Sequence, residues 1–174
     1  PHAWYTATPE LLLACADLAR AFDVPLHTHV SETKLEADNS VNQNHMSVVP
    51  WLEQHGILDT KLLAAHCVHI DEEEMFSLRR VGAGVAHCPS SNLKLASGIA
   101  PVTQMLKVGL NVGVGTDGPA SNNDLDMVEE MRLASFIAKV STSNPTALPA
   151  RQAVELATIS GARAIHMGDV TGSL

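Results

Sequence analysis

Five short motifs, in a fixed order along the chain, contain most of the side chains that could do chemistry. They are Pro1-His2-Ala3-Trp4-Tyr5-Thr6, His27-Thr28-His29-Val30-Ser31-Glu32, Ala65-His66-Cys67-Val68-His69, His87-Cys88-Pro89-Ser90-Ser91-Asn92 and Gly113-Val114-Gly115-Thr116-Asp117-Gly118. At least four of them lie where a short apolar run gives way to polar residues. A His, a Glu three residues later, a separate His and a late Asp are the components of a metal-dependent hydrolytic site.

The second motif contains the best candidates for metal binding and proton transfer. His27 and His29 are two residues apart on a predicted strand, so their side chains share a face. A neutral imidazole near a strand end is a common zinc ligand. Glu32 is within reach of anything bound at His29, and such a carboxylate can hold or shuttle a proton without binding the metal. The alternative interpretation is a polar strand end followed by a capping Glu.

His66 and Asp117 end two further predicted strands. Taken alone, His66 is a core histidine satisfied by a backbone carbonyl, and Asp117 serves as a helix cap or turn residue. Gly113 and Gly115 before Asp117 let another group approach the backbone closely. However, three of the four predicted strand ends carry a His or an Asp, in an order suited to one metal and one water. This coincidence favours a shared site.

Such a site suits the hydrolytic release of ammonia from an amidine-like carbon, such as C6 of adenine. A bound divalent metal lowers the pKa of its water toward 7 and makes hydroxide available at neutral pH. Asp117, as a ligand, can also take the water proton, and His66 can orient the hydroxide. Glu32 can protonate the substrate atom next to the carbon under attack.

The elements that must position these residues alternate between strands and helices. Short apolar runs predict strands at 24–29, 62–67, 84–87 and 111–116, and Pro1-His2 is a candidate end of a fifth. Helical spacing and caps predict helices at 9–22, 31–37, 46–55, 72–80, 101–108, 125–140 and 148–165. This alternation predicts an α/β protein with a parallel sheet, equivalent to about half of an eight-stranded (β/α)8 TIM-like barrel.

The composition excludes several classes of protein. A net charge of −8 argues against nucleic-acid binding, and no apolar run approaches the roughly 20 residues of a membrane span. Cys15, Cys67 and Cys88 are far apart and form no CxxC pair, which predicts free thiols in a reducing, cytoplasmic compartment. We expect residues 1–174 to be part of one barrel domain of a longer protein.

The chain resembles the amidohydrolase superfamily, and within it most of all the 5′-methylthioadenosine/S-adenosylhomocysteine deaminases. The resemblance extends from Pro1 to Leu174. Its signatures are His29-x-x-Glu32, His66-Cys67-Val68-His69, the run from His87 to Leu95 and the run from Gly115 to Asn123. It implies that the chain supplies roughly strands 5 to 8 of the barrel with their covering helices.

The resemblance also implies roles for five residues. His29 resembles the zinc ligand of strand 5, and Asp117 resembles the ligand of strand 8 that also contacts the substrate. Glu32 resembles the substrate-binding proton shuttle, and His66 resembles the histidine of strand 6 near the metal water. His2 resembles the substrate-contacting histidine of strand 4, with an ordinary loop histidine as the alternative.

One departure from the family pattern limits what this chain can do alone. The family's other two zinc ligands form a His-x-His pair on strand 1, and His27-Thr28-His29 is not that pair because the motifs after it match strands 6 to 8. We therefore expect the isolated segment to bind zinc weakly and to be inactive. Iron is the alternative metal, since it accepts the same ligands. Ser90 and Asn92 either line the pocket or shape the loop after strand 7.

The family implies an enzyme that hydrolytically deaminates adenine thioether nucleosides, namely 5′-methylthioadenosine and S-adenosylhomocysteine, to the inosine analogues. A small-molecule nucleoside is thus the expected partner, with nucleic acid and membranes excluded and homo-oligomerisation left open. A related hydrolase acting on guanine, 8-oxoguanine or triazines is a second interpretation. A non-catalytic barrel segment that serves as a binding or structural module is a third.

Overall fold

A parallel four-stranded sheet forms the centre of the computed structural model, which describes residues 1–173. The strands are β1 Leu26–Val30, β2 Leu62–His66, β3 Gly84–His87 and β4 Asn111–Val114. They pair in chain order, and all three pairs are parallel. Helices connect successive strands, as in the β/α units of a barrel. The predicted α/β class and parallel sheet are confirmed.

Helices cover the sheet, and ten of them fall within residues 1–173. They are α1 Pro9–Ala21, α2 Lys34–Asn44, α3 Val48–Gln54, α4 Glu72–Arg80, α5 Pro89–Lys94, α6 Val102–Val108, α7 Pro119–Asn122, α8 Met127–Thr142, α9 Ala150–Ala157 and α10 Ile159–Ala164. The predicted caps are present, since Thr8 accepts a hydrogen bond from Leu11 N and Asp71 forms a capping box with Glu74. Over this part of the chain, every helix is too short or too polar to cross a bilayer.

Several features of the helices and strands differ from the sequence prediction. The helix predicted at 31–37 is α2 at Lys34–Asn44, and the strand predicted at 111–116 ends at Val114. The helices α5 and α7 were not predicted, because six and four residues are too few to show a helical period. The predicted helix at 148–165 is two helices, α9 and α10, separated at Thr158 by a non-helical backbone (φ −126°, ψ −106°). Pro1-His2 belongs to no strand, although the His2 carbonyl accepts a hydrogen bond from His29 N at 2.9 Å.

Aliphatic side chains from the sheet and the helices form one continuous core. Its largest fully buried members include Leu12, Leu52, Ile57, Leu58, Leu62, Leu78, Met105 and Leu156. Two glycines let α10 approach the sheet closely. A Cβ at Gly84 would lie 1.9 Å from the Ala164 carbonyl oxygen, and a Cβ at Gly113 would lie 2.7 Å from Gly161 Cα. The backbone of α10 thus packs directly against β3 and β4.

Gly84→Ala is expected to lower the free energy of unfolding by about 3 kcal/mol, because the added methyl meets backbone atoms that cannot move aside. Gly118→Ala is the matched control, since nothing lies within 4 Å of its added Cβ, and its expected effect is within about 0.5 kcal/mol. Urea unfolding curves of both variants measure the difference. Similar losses in the two variants would contradict the close packing of α10.

Candidate active site

The carboxyl ends of the four strands bring the sequence motifs together at one edge of the sheet. The register pairs Val30 of β1 with His66 of β2, and His87 of β3 with Val114 of β4. Asp117 follows β4 by three residues. This is the edge at which barrel enzymes build their active sites.

The backbone at these strand ends is strained. Ser31, His66, Cys67 and Asp117 all have left-handed φ angles, between 47° and 70°. Such conformations cost on the order of 1–3 kcal/mol each for residues other than glycine, and they persist only when their surroundings hold them. One such restraint is the hydrogen bond from Cys67 N to the Val30 carbonyl at 3.0 Å. The strained residues therefore lie at the carboxyl ends of the strands, next to the candidate site residues.

His29, Glu32 and His66 form a group that could hold a metal ion, with ligand atoms within 4.8 Å of one another. The Nδ1–H of His29 donates to the His2 carbonyl at 2.8 Å, so its Nε2 keeps a free lone pair. Metal-binding histidines are commonly oriented by such a bond from the other ring nitrogen. The types of donor atom in this group fit a divalent metal, and the orientation of His29 leaves its Nε2 available to bind one.

His66 is almost completely buried, and its partner is a side chain. Its Nδ1 lies 2.8 Å from Asn92 Oδ1, and its Nε2 lies 3.9 Å from Glu32 Oε2. The alternative in which a backbone carbonyl satisfies His66 is therefore wrong. Nε2 instead faces the carboxylate that the sequence proposes for proton transfer.

Glu32 is held by contacts with both its backbone and its carboxylate. The backbone N–H groups of Ser31 and Glu32 donate to the buried Glu36 carboxylate at 3.1 and 2.7 Å. Ser97 Oγ donates to Glu32 Oε1 at 3.2 Å. The cap of α2 is Thr33, so the interpretation of Glu32 as a capping residue is wrong. Burial raises the pKa of Glu36, although the backbone hydrogen bonds it accepts act in the opposite direction.

Asp117 binds two hydroxyl groups. Ser91 Oγ and Ser121 Oγ donate to its Oδ2 at 2.7 and 2.6 Å. Burial alone would raise the pKa of Asp117, but these two bonds, the Gly118 N–H and the nearby His66 together lower it. The carboxylate is thus kept anionic. The cap position of α7 is Gly118, so the helix-cap interpretation of Asp117 is wrong.

A buried carboxylate that the sequence analysis missed connects the loops after β3 and β4. Glu130, on α8, is fully buried and accepts hydrogen bonds from Ser90 N at 3.1 Å and Asn122 Nδ2 at 2.7 Å. The same Asn122 amide donates to the Thr116 carbonyl at 2.7 Å. The sequence feature that could have indicated this carboxylate is the position of Glu130 four residues before Ala134, on the buried face of α8.

The structure brings most of the predicted site residues into one neighbourhood. His29, Glu32 and His66 form the group described above, and the His2 ring centroid lies 4.4 Å from that of His29. Asp117, predicted as a metal ligand together with His29, lies outside the 4.8 Å group, with its Oδ2 turned to the two serines. The individual roles of these five residues stay predictions.

The family of the chain follows from sequence comparison, and it agrees with this geometry. The model of the amidohydrolase family matches residues 1–174, so the chain belongs to the amidohydrolase family. It is 48% identical over 174 residues to a 5-methylthioadenosine/S-adenosylhomocysteine deaminase from Desulforudis audaxviator. It is 46% identical over 176 residues to a 5′-deoxyadenosine deaminase from Methanothrix thermoacetophila. The whole chain is covered in both, but it spans only 40% and 43% of these relatives.

Solved structures confirm the partial barrel. An adenosine deaminase from Xanthomonas campestris with bound zinc superposes with a TM-score of 0.95 at 41% identity, covering 99% of this chain and 39% of its own. Atrazine chlorohydrolase from Arthrobacter aurescens, complexed with zinc, superposes with a TM-score of 0.87 at 33% identity. The match covers 95% of this chain and 36% of the chlorohydrolase chain. Guanine deaminase from C. acetobutylicum superposes with a TM-score of 0.85 at 26% identity, and the match covers 96% of this chain and 41% of the guanine deaminase chain.

The burial of His87 is expected to make the free energy of unfolding depend on pH. It is buried, its Nδ1 has no hydrogen-bond partner among residues 1–173, and burial lowers its pKa from 6.5 to about 4. Between these pH values the unfolded chain binds a proton that the folded chain does not. Acidification from pH 6.5 to 4 is therefore expected to cost up to about 3 kcal/mol of unfolding free energy at this residue.

Urea unfolding of the wild type and His87→Gln between pH 7 and pH 4 measures this dependence. The variant is expected to lose less stability on acidification than the wild type. His45→Asn, at an exposed position, is the control and is expected to follow the wild type. Parallel curves for His87→Gln and the wild type would contradict the prediction.

Proposed function

We propose that the full-length protein is a metal-dependent aminohydrolase that deaminates adenine thioether nucleosides, such as 5′-methylthioadenosine and S-adenosylhomocysteine. The observation that carries this proposal is the convergence of His29, Glu32 and His66 within 4.8 Å at the strand ends. The similarity to deaminases of this substrate class, over the whole length of the chain, supports the choice of substrate.

The proposed metal is zinc, with His29 and Asp117 as the ligands from this chain. The free Nε2 of His29 and the anionic Asp117 carboxylate suit a divalent cation. Iron accepts the same donors and is the alternative. When bound, the metal lowers the pKa of water so that hydroxide is available near neutral pH. The remaining ligands would come from residues outside this chain.

Glu32 and His66 are the proposed proton-transfer pair. Glu32 Oε1 accepts from Ser97, which leaves Oε2, on the His66 side, to deliver a proton to the ring nitrogen beside the carbon under attack. The lone pair of His66 Nε2 can accept a hydrogen bond from the attacking water. Water supplies the oxygen of the product. Asp117 takes one proton of that water and passes it to the amino group, which leaves as ammonia, and the second water proton returns to Glu32 as the product carbonyl forms. His2, packed on His29, is the proposed substrate contact.

The cysteines support the proposed cytoplasmic location. All three are free, and Cys67 and Cys88 are buried. Burial raises the pKa of both thiols, that of Cys88 to about 12, so neither is present as a reactive thiolate. Free, inert thiols are typical of proteins in reducing compartments.

A hydrolase of guanine or of chlorotriazines is the second candidate, because solved enzymes with those names share this fold over nearly the whole chain. Measuring product release by the zinc-loaded full-length protein separates the two. The substrates are 5′-methylthioadenosine, S-adenosylhomocysteine, guanine and a chlorotriazine. We expect ammonia from the two thioethers only. Ammonia from guanine, or chloride from the triazine, would contradict the proposed substrate, and no product at all would favour a non-catalytic role.

Glu32→Gln is expected to lower kcat about 10²- to 10⁴-fold, because the amide cannot donate and regain the proton that the reaction needs. Steady-state kinetics on the best substrate measure this, with zinc content and thermal stability determined alongside. The control is Glu73→Gln, an exposed residue of α4, which should leave kcat unchanged. Activity of the Glu32 variant within threefold of the wild type would show that another group moves the proton.

A further inference from the structure

The C-terminal half of α5 and the turn that ends this helix lie between two of the proposed catalytic side chains. We call residues 92–97 the clamp turn. It is closed by a hydrogen bond from Ser97 N to the Asn92 carbonyl at 2.8 Å. Both ends are buried, with Asn92 2% and Ser97 5% exposed. Asn92 Nδ2 has no hydrogen-bond partner among residues 1–173, whereas Asn92 Oδ1 and Ser97 Oγ both bind side chains of the proposed site.

Each end of the clamp turn binds a different site residue. Asn92 Oδ1 lies 2.8 Å from His66 Nδ1, and Ser97 Oγ lies 3.2 Å from Glu32 Oε1. The carbonyl of Ser97 is in turn bound by His69 Nε2 at 2.7 Å, from the loop after β2. The turn therefore connects the loops after β1 and β2 through their side chains.

The backbone of this region is shaped for that contact. Ala96, inside the turn, has a left-handed φ of 55°, and the next residue but one, Gly98, has a φ of 128°. A Cβ at Gly98 would lie 2.8 Å from Val68 Cγ1 and 3.4 Å from the His69 ring. Such close approach and strain indicate that the turn is held tightly against the loop after β2.

The polarity of the two hydrogen bonds determines how Glu32 and His66 face each other. A hydroxyl donor on Glu32 Oε1 reserves that oxygen as an acceptor, so a proton carried by Glu32 resides on Oε2. An amide oxygen beside His66 Nδ1 requires that nitrogen to carry the hydrogen, so Nε2 presents its lone pair. The two free atoms, Oε2 and Nε2, are the pair that lies 3.9 Å apart.

We propose that the clamp turn positions the proton-transfer pair, with Ser97 selecting the carboxylate oxygen of Glu32 that carries the proton and Asn92 setting the tautomer of His66. Both are positioning residues, since each acts through another side chain. The proposal rests on the function proposed above and adds two residues, one of them outside the sequence-predicted site, that the reaction depends on.

Ser97→Ala tests the carboxylate end of the turn in the full-length, zinc-loaded protein. We expect kcat to fall roughly 10- to 100-fold, because small displacements of a catalytic group have effects of that size. The KM should change less than threefold, and Ser97→Thr, which keeps the hydroxyl, should restore most of the activity.

Ser40→Ala is the matched control for Ser97→Ala. Ser40 is also fully buried and donates one hydrogen bond, to the Met46 carbonyl at 2.9 Å, outside the site. The two variants should have similar melting temperatures and zinc contents and differ only in kcat. A kcat for Ser97→Ala within twofold of that for Ser40→Ala would overturn the role of Ser97.

The His66 end is tested without any activity measurement. In protein labelled with ¹⁵N-histidine, ring nitrogen shifts identify the tautomer of His66, whose signal is assigned by its absence in His66→Gln. We expect the Nδ1–H form in the wild type and in Asn92→Asp, which keeps the acceptor, and a change toward the Nε2–H form in Asn92→Leu. An identical spectrum for Asn92→Leu would overturn the role of Asn92.

The two experiments separate the possible failures. If no tested substrate yields product in the wild type, the proposed function fails, but the NMR experiment still decides whether Asn92 sets the tautomer. If the wild type is active and neither Ser97→Ala nor Asn92→Leu has its expected effect, the clamp turn is overturned while the proposed function stands.

Discussion

The parallel pairing of the four strands in chain order is the constraint on which the site depends. Pairing places Val30 beside His66 and His87 beside Val114, so the strand ends lie side by side at one edge. Because strand side chains alternate between faces, a shift of one residue in β1 would turn His29 to the opposite face. No local feature of the loops could compensate, since the loops begin where the pairing ends.

Buried carboxylates fix the positions of the segments that follow the paired strands, because they accept hydrogen bonds from those segments. Glu36 accepts the N–H groups of two residues after β1, and Glu130 accepts one from the loop after β3 and one from the Asn122 side chain after β4. Glu74 does the same between two helices, binding the N–H groups of Asp71 and Val49. A buried carboxylate without its donors is costly, so a loop that moved away would leave that cost uncompensated. These hydrogen bonds help to hold the segments after the strands in the left-handed backbone conformations found at Ser31 and Asp117.

The features predictable from sequence are those with a local pattern. Short apolar runs located all four strands, and residue type at their ends identified His29, Glu32 and His66. The start of β1 was placed two residues early, at 24 rather than Leu26, since Pro25 has no N–H to pair with a neighbouring strand. The contacts of Ser97 with Glu32 and of Glu130 with Ser90 join residues 65 and 40 positions apart, and no spacing rule indicates such pairs. The sequence thus indicated the proposed reacting groups and Asn92, but not Ser97 or Glu130, whose contacts join distant positions.

The residues that orient the proposed proton-transfer pair differ from those proposed to bind the metal. Within residues 1–173, the hydrogen bonds that orient Glu32 and His66 are made by Glu36, Ser97 and Asn92. The relative positions of the proposed proton-transfer pair are therefore fixed by these four strands and the segments that follow them. The metal, in contrast, needs donors beyond His29 and Asp117 to complete a four-coordinate site. In the proposed mechanism, proton transfer is therefore positioned by Glu36, Ser97 and Asn92, whereas metal binding depends on His29, on Asp117 and on further ligands.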